Sequence, residues 1–351
     1  MKWHFWLHPL RGMAAVFVVL LHSYWTWSFY DHSIVRKFYL MVDFFFVLSG
    51  FVISSGYFSR IVDFASVKSF FRKRLDRLQF QYLLSGGAWF AAAMLFGLYQ
   101  GAGDVIISIL RYLFFVDFLF NDQVPRVNPV AWSVMAEIWV YISFGLLTCL
   151  VRTRTYYQAL LVGLILLFSA ALAYSYRDMD VVHGAGPVVR AFAGFYMGAL
   201  CYQTFINGWS RRFLIGVACA QIALAFGFRN YDLVSIPVSA LIISFFFDRK
   251  APENPRAQRF LSWLGDISYP LYLWHFLMSV VVAKLIGKLF GGTSLIFHDE
   301  KFAAIPPYYG DLFCLVLMAA SLAAAQASIM LEKHYHQISG RRRQRERAAT
   351  P

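Results

Sequence analysis

The chain has 351 residues, of which 59% are apolar, 19% aromatic and only 15% charged. That balance excludes an ordinary soluble domain, and the long unbroken apolar runs exclude a transmembrane barrel, whose strands alternate polar and apolar residues. The formal charge of +13 lies between and after the apolar runs, where topology and lipid headgroups account for it, so nucleic-acid binding is not expected.

Taken in chain order, the apolar runs give ten candidate spans: 11–29, 38–58, 82–99, 131–150, 157–175, 187–206, 213–228, 233–247, 267–288 and 311–331. The first run lacks a small-residue exit and is soon followed by a second, so it reads as a retained span. Residues 105–120 are interrupted by Arg111 and Asp117 and read as an interfacial or re-entrant helix. With the N-terminus inside, the segments 1–11, 59–81, 151–156, 207–212, 248–260 and 332–351 hold 22 of the 32 Lys and Arg. This bias predicts ten crossings with both ends cytoplasmic. The expectation is therefore an all-α polytopic bundle, one transmembrane domain over 1–331 and a disordered basic tail over 332–351. Cys149, Cys201, Cys219 and Cys314 fall inside apolar runs without CxxC spacing, and read as packing residues.

Four polar residues inside the spans stand out: His22, Asp43, Glu137 and His275. At 1.5 Å per residue, His22 lies about 16 Å beyond Arg11, near the middle of a membrane if Arg11 marks its edge. The others fall about 7 to 12 Å deep by the same rise, so all four could meet one polar cavity. Buried ionisable groups in a bilayer are costly and mark function, and imidazole moves protons near neutral pH. Each residue has a plainer reading. His22 could bond a neighbouring helix, Glu137 could pair with Arg190, Asp43 could cap or pair, and His275 could simply pack. The remaining histidines show no metal-ligand spacing, and no metal is expected.

The segment Phe70-Phe71-Arg72-Lys73-Arg74-Leu75-Asp76-Arg77-Leu78 is strongly basic. Arg74 and Arg77, three apart, share a helix face and could fork onto phosphates. A cytoplasmic coenzyme A donor would suit them.

At these residues the chain resembles the acyltransferase-three family of integral-membrane O-acyltransferases. The resemblance rests on five ordered motifs. They are Arg11-Gly12 with His22; Val42-Asp43-Phe44-Phe45-Phe46-Val47-Leu48-Ser49-Gly50-Phe51; Arg74-Leu75-Asp76-Arg77; Trp132-Ser133-Val134-Met135-Ala136-Glu137 with Tyr141; and Ile267-Ser268-Tyr269-Pro270-Leu271-Tyr272-Leu273-Trp274-His275. The resemblance implies an acyl-CoA donor, acetyl-CoA above all, and a cell-surface or lipid-linked carbohydrate acceptor. It also implies a bacterial inner membrane, whose anionic lipids would hold the basic tail. His22 would take the acceptor proton or the acyl group, with Glu137, or Asp43, orienting its ring. Arg11, Arg74 and Arg77 would bind the donor. Trp132, Ser133, Tyr141, Tyr272, Trp274 and His275 would line the acceptor pocket. The rival reading is a proton-coupled transporter or flippase of a lipid-linked sugar, because intramembrane His and Glu also suit a proton relay. No inverted repeat is evident to support it.

Overall fold

A computed structural model describes residues 5–23, 33–151, 153–289 and 307–349. Among them there are helices and no strands. In chain order these are α1 (Leu7–Leu21), α2 (Ser33–Arg36), α3 (Met41–Tyr57), α4 (Phe64–Leu95), α5 (Ala102–Leu113), α6 (Trp132–Leu150) and α7 (Arg154–Ser175). Then follow α8 (Gly186–Phe205), α9 (Arg211–Gly227), α10 (Ser235–Phe246), α11 (Pro255–Leu289) and α12 (Pro307–Ala349). Nine of the ten apolar runs each overlap one of these helices, and the described part of the first overlaps α1. Five stretches are long and apolar enough to cross a membrane: Ile34–Tyr57, Pro129–Leu150, Arg154–Ser175, Pro255–Leu285 and Gly310–Ser339. The protein is thus an all-helical membrane protein. Leu7–Leu21 and Tyr231–Phe246 are apolar but shorter. α5, in the stretch expected to be interfacial, has only 12 residues. The backbone of α12 continues as helix through the basic segment after 331.

The first span departs from expectation. A helix over 11–29 would put His22 in mid-span, but α1 stops at Leu21, and His22 is its C-terminal cap. Its 15 residues rise about 22 Å, short of a bilayer's hydrocarbon thickness. A helix that ends away from water must still satisfy its last carbonyls. Local side chains do this. Ser23 Oγ donates to the Leu20 oxygen at 2.7 Å, and Ser279 Oγ of α11 donates to the His22 oxygen at 2.8 Å. The remainder of the expected first span, 24–29, lies outside the described residues.

α4 shows the opposite behaviour, running 32 residues from the basic segment into the apolar one without a break. Asp63 and Ser66 start it with a capping box: Ser66 N–H donates to Asp63 Oδ1 at 2.7 Å, and Asp63 N–H to Ser66 Oγ at 3.0 Å. Of the donor-binding candidates, Arg74 and Arg77 therefore ride on this continuous helix, and Arg11 lies on α1.

Two apolar cores hold the bundle. The larger joins α3, α6, α7, α8 and α10 around buried Val47, Phe51, Phe144, Leu161, Phe195 and Ile243. The smaller lies between α1, α11 and α12, around Ala15, Val19, Ile267, Leu271, Leu317 and Ala325. Each core has a seam where glycine lets backbones touch. A Cβ on Gly50 would overlap the Phe195 carbonyl, and one on Gly198 the Val47 carbonyl, so α3 and α8 cross at closest approach. Gly194 and Gly198 form a small-xxx-small pair, a common device where helices meet inside a membrane. In the second seam, a Cβ on Gly12 would overlap the Leu264 carbonyl, and one on Gly265 the His8 ring. These two seams bring the polar residues together.

Candidate active site

At the end of α1, His22 meets His275 of α11. The ring centroids are 4.8 Å apart, and His275 Nε2 lies 3.3 Å from His22 Nδ1. His22 Nδ1 is also 2.9 Å from the Val18 oxygen, one turn back on its own helix. His275 is fully buried, and its Nδ1 lies 2.6 Å from the Tyr272 oxygen. Phe276 packs edge-on against the His22 ring at 5.5 Å. Both imidazoles are therefore clamped by backbone carbonyls and apolar walls. Tyr272, on the same face of α11 as His275, accepts from Ser133 Oγ at 2.8 Å and donates to the Val130 oxygen at 3.0 Å. The pocket candidates Ser133 and Tyr272 are thus joined to each other and lie beside His275, 5.7 Å ring to ring.

Glu137 does not form the expected contact with His22. Its Oε1 accepts from Tyr141 Oη at 2.6 Å and from Ser49 Oγ, a contact that links α6 to α3. Nor does it pair with Arg190. That guanidinium belongs to Asp43: Nε donates to Oδ1 at 2.7 Å and Nη2 to Oδ2 at 2.8 Å, with a further bond from Nη2 to the Tyr39 oxygen at 2.8 Å. Asp43 and Arg190 are both completely buried. Asp43 is accordingly engaged by a cation and not by an imidazole. The plainer pairing role fits it, and the reason is steric: Gly194 keeps the α3–α8 distance short enough for a bidentate fork. Trp132 stacks over Arg190 at 5.5 Å. Trp274 keeps its indole Nε1 buried with no hydrogen-bond partner among the described residues.

The basic candidates converge at the other end of α1. Arg11 Nε donates to Ser268 Oγ at 2.8 Å and Nη2 to the Gly265 oxygen at 3.3 Å, locking α1 to α11. Arg11 also interacts electrostatically with Arg77 of α4 and with Glu137. The Arg74 guanidinium stacks over Tyr57 at 4.6 Å, and its Nε is buried without a hydrogen-bond partner among the described residues. Tyr269 Oη, donating to the Leu78 oxygen at 3.0 Å, ties α11 to this stretch of α4. A cavity of about 230 Å³ lies between α4 and α6, bounded by Lys68, Phe71 and Tyr141 among others, and none of the three arginines lines it.

Among the described residues the four polar span residues form three hydrogen-bonded partnerships, His22 with His275, Glu137 with Ser49 and Tyr141, and Asp43 with Arg190, and Tyr272 beside His275 interacts electrostatically with both Glu137 and Arg190. Sequence reasoning missed Ser49, Ser268, Ser279 and the seam glycines. The signal for the glycines was present in the Gly194/Gly198 spacing and in Gly12 directly after Arg11. Ser49 and Ser268 stand inside the quoted motifs, and Ser279 alone of the three serines carries no sequence signal.

Comparison with known proteins follows the same direction. The sequence profile of a family described as "Acyltransferase domain" matches residues 4–329. A protein of Acidianus two-tailed virus named "Putative acetyltransferase ORF330" is 28% identical over 297 residues, covering 80% of this chain and 85% of the relative. The "Exopolysaccharide production protein ExoZ" of Rhizobium meliloti (strain 1021) is 28% identical over 257 residues, covering 69% of this chain and 77% of the relative. "Protein 2 in picA locus" of Rhizobium radiobacter is 30% identical over 151 residues, covering 38% of this chain and 76% of the relative. No solved structure matches the chain.

Proposed function

The chain belongs to the acyltransferase family, and we propose from that premise that it moves an acyl group, acetyl in the first instance, from acyl-CoA to a hydroxyl of a surface or lipid-linked carbohydrate. The names of the two longest-matching relatives, an acetyltransferase and an exopolysaccharide production protein, support acetyl as the group and polysaccharide as the acceptor class. The carrying observation is the ending of α1 at Leu21, which leaves the His22 ring held between Val18 and His275 at the helix end.

In this reading, His22 takes the proton of the acceptor hydroxyl as its oxygen attacks the thioester carbon. The C–S bond then breaks, and the same proton passes to the departing thiolate, releasing free coenzyme A. Arg11, Arg74 and Arg77 receive the donor's phosphates. Cations gathered at one place repel one another, and an arginine nitrogen buried without a partner is costly, so an anionic ligand relieves both. Glu137, bonded to Tyr141 and Ser49, balances Arg11 and sets the inner wall of the donor path. Ser133, Tyr272, Trp132 and Trp274 line the acceptor side. The chain would cross a bacterial inner membrane ten times with both ends cytoplasmic, as its Lys and Arg distribution favours. The thioester would then arrive from the basic face.

The test is transfer of label from acetyl-labelled acetyl-CoA to exopolysaccharide by membranes that hold the full chain. His22→Gln should lower transfer about 10²- to 10⁴-fold while the protein keeps its elution profile in detergent. Undiminished transfer by that variant would end the assignment of His22. Movement of acceptor across vesicles with no acetyl-CoA consumed would favour a transporter.

A further inference from the structure

Two backbone carbonyls fix the tautomers of the His22–His275 pair. A carbonyl oxygen can only accept a hydrogen bond. The Tyr272 oxygen, 2.6 Å from His275 Nδ1, therefore requires a hydrogen on that nitrogen. The neutral His275 ring then carries its lone pair on Nε2. The Val18 oxygen, 2.9 Å from His22 Nδ1, requires a hydrogen there too. That hydrogen lies between two acceptors, the Val18 oxygen and the Nε2 lone pair of His275 at 3.3 Å. Neutral His22 is left with its basic lone pair on Nε2, the ring nitrogen away from His275.

The arrangement repeats the logic of a serine-protease triad, in which a carboxylate on the far nitrogen holds the imidazole in one tautomer and steadies the imidazolium. Here that far-nitrogen acceptor is a neutral imidazole. The two obvious carboxylates are otherwise engaged, Asp43 with Arg190 and Glu137 with Tyr141 and Ser49. We propose that His275 is the positioning residue of the transfer base: its Nε2 accepts from His22 Nδ1–H, aims His22 Nε2 at the reacting groups, and stabilises the imidazolium without adding negative charge. This rests on His22 being the base.

During transfer the acceptor proton moves onto His22 Nε2 and later onto the leaving thiolate, and Nδ1–H stays on His22 throughout. A neutral acceptor steadies the imidazolium by a hydrogen bond alone, where a carboxylate would add its charge. Several other titratable groups face the pair. Tyr272 lies beside His275 on α11, and Cys314 and Asp311 lie on α12, with Cys314 bonded to Ser23 next to His22. Arg190 of α8, held by Asp43 of α3, acts electrostatically on Tyr272 beside them. None of these is changed by substitution at His275.

The experiment compares three variants of the full chain, assayed with acetyl-CoA and exopolysaccharide across pH 5 to 9. His275→Gln, whose amide oxygen can reach the Nε2 position, should retain kcat within about fivefold. His275→Phe should lower kcat about 100-fold with the acetyl-CoA KM nearly unchanged. His275→Glu should move the acidic limb of kcat/KM upward by about one pH unit or more, because a negative partner favours imidazolium. Wild-type kcat in His275→Phe, or an unmoved acidic limb in His275→Glu, overturns the proposal. Should His275→Phe fail to fold, the Gln and Glu variants decide alone, and identical acidic limbs in the two overturn it. Failure of the underlying reading looks different: His22→Gln would itself remain active. An inactive His22→Gln beside fully wild-type His275 variants removes only the role of His275.

Discussion

Where α3 crosses α8, Asp43 and Arg190 close on each other through two hydrogen bonds, both side chains sealed from solvent. Where α1 crosses α11, two imidazoles meet through one contact of 3.3 Å, and about three turns of α1 away Arg11 and Arg77 repel one another. Both seams use glycine to bring backbones together. One fills the gap with a bidentate ion pair; the other sets Arg11 beside Arg77, with Glu137 and Asp266 acting on Arg11 in the opposite sense. A compensated ion pair has little left to offer a ligand, whereas uncharged bases and crowded cations gain from one. Under the proposed function, the larger core holds the fold and the α1–α11–α4 region carries the chemistry.

The strongest way to break that contrast is at the ion pair. Removing one member leaves an uncompensated buried charge, so Asp43→Asn should cost about 3–5 kcal/mol of stability, read as a lowered thermal midpoint in detergent. Asp43→Leu combined with Arg190→Met should recover most of that loss. If Asp43→Asn instead stayed folded at the wild-type midpoint and lost transfer, the two seams would have exchanged roles.

A group outside both seams sharpens the comparison. Burial pushes the Asp117 carboxyl up to about 6 from its ordinary 3.8, against the pull of Arg126, 3.8 Å away, and of Arg111. A folded-state value above the unfolded one means that its contribution to stability is complete below pH 3.8 and is lost as pH rises through about 6. The span corresponds to about 3 kcal/mol at 1.36 kcal/mol per pH unit. Asp117→Asn should therefore flatten the fall in thermal midpoint between pH 4 and 7 without changing kcat. A midpoint that still falls equally in the variant would remove Asp117 as its cause.

The smallest expected effect tests the basic end. Arg74→Ala should raise the acetyl-CoA KM about tenfold, the loss of one charge-assisted hydrogen bond, with kcat and thermal midpoint near wild type. An unchanged KM would separate Arg74 from the donor.

Much of this was legible in the residues. Apolar run length gave the helices because every backbone group in lipid must be satisfied within its own segment. The ordered motifs gave the family and drew attention to Arg11, His22, Asp43, Glu137 and His275. What they could not give was partnership. Glu137 and Asp43 are both carboxylates on apolar helices, and nothing local says that Arg190 belongs to one and Tyr141 to the other. Nor does the apolar run through His22 disclose that α1 ends there, since the hydroxyls of Ser23 and Ser279 that satisfy its last carbonyls come partly from a helix more than 250 residues away.

The sequence by itself therefore determined the helical membrane class and the acyltransferase family, and nominated the side chains proposed for its chemistry, because hydropathy and motif order are properties of the chain read locally. Only the tertiary structure decided that His275, and neither carboxylate, stands against His22. Side-chain pairing across helices depends on which backbones can touch, and that is set by glycine-lined seams between distant segments, not by any neighbourhood along the chain.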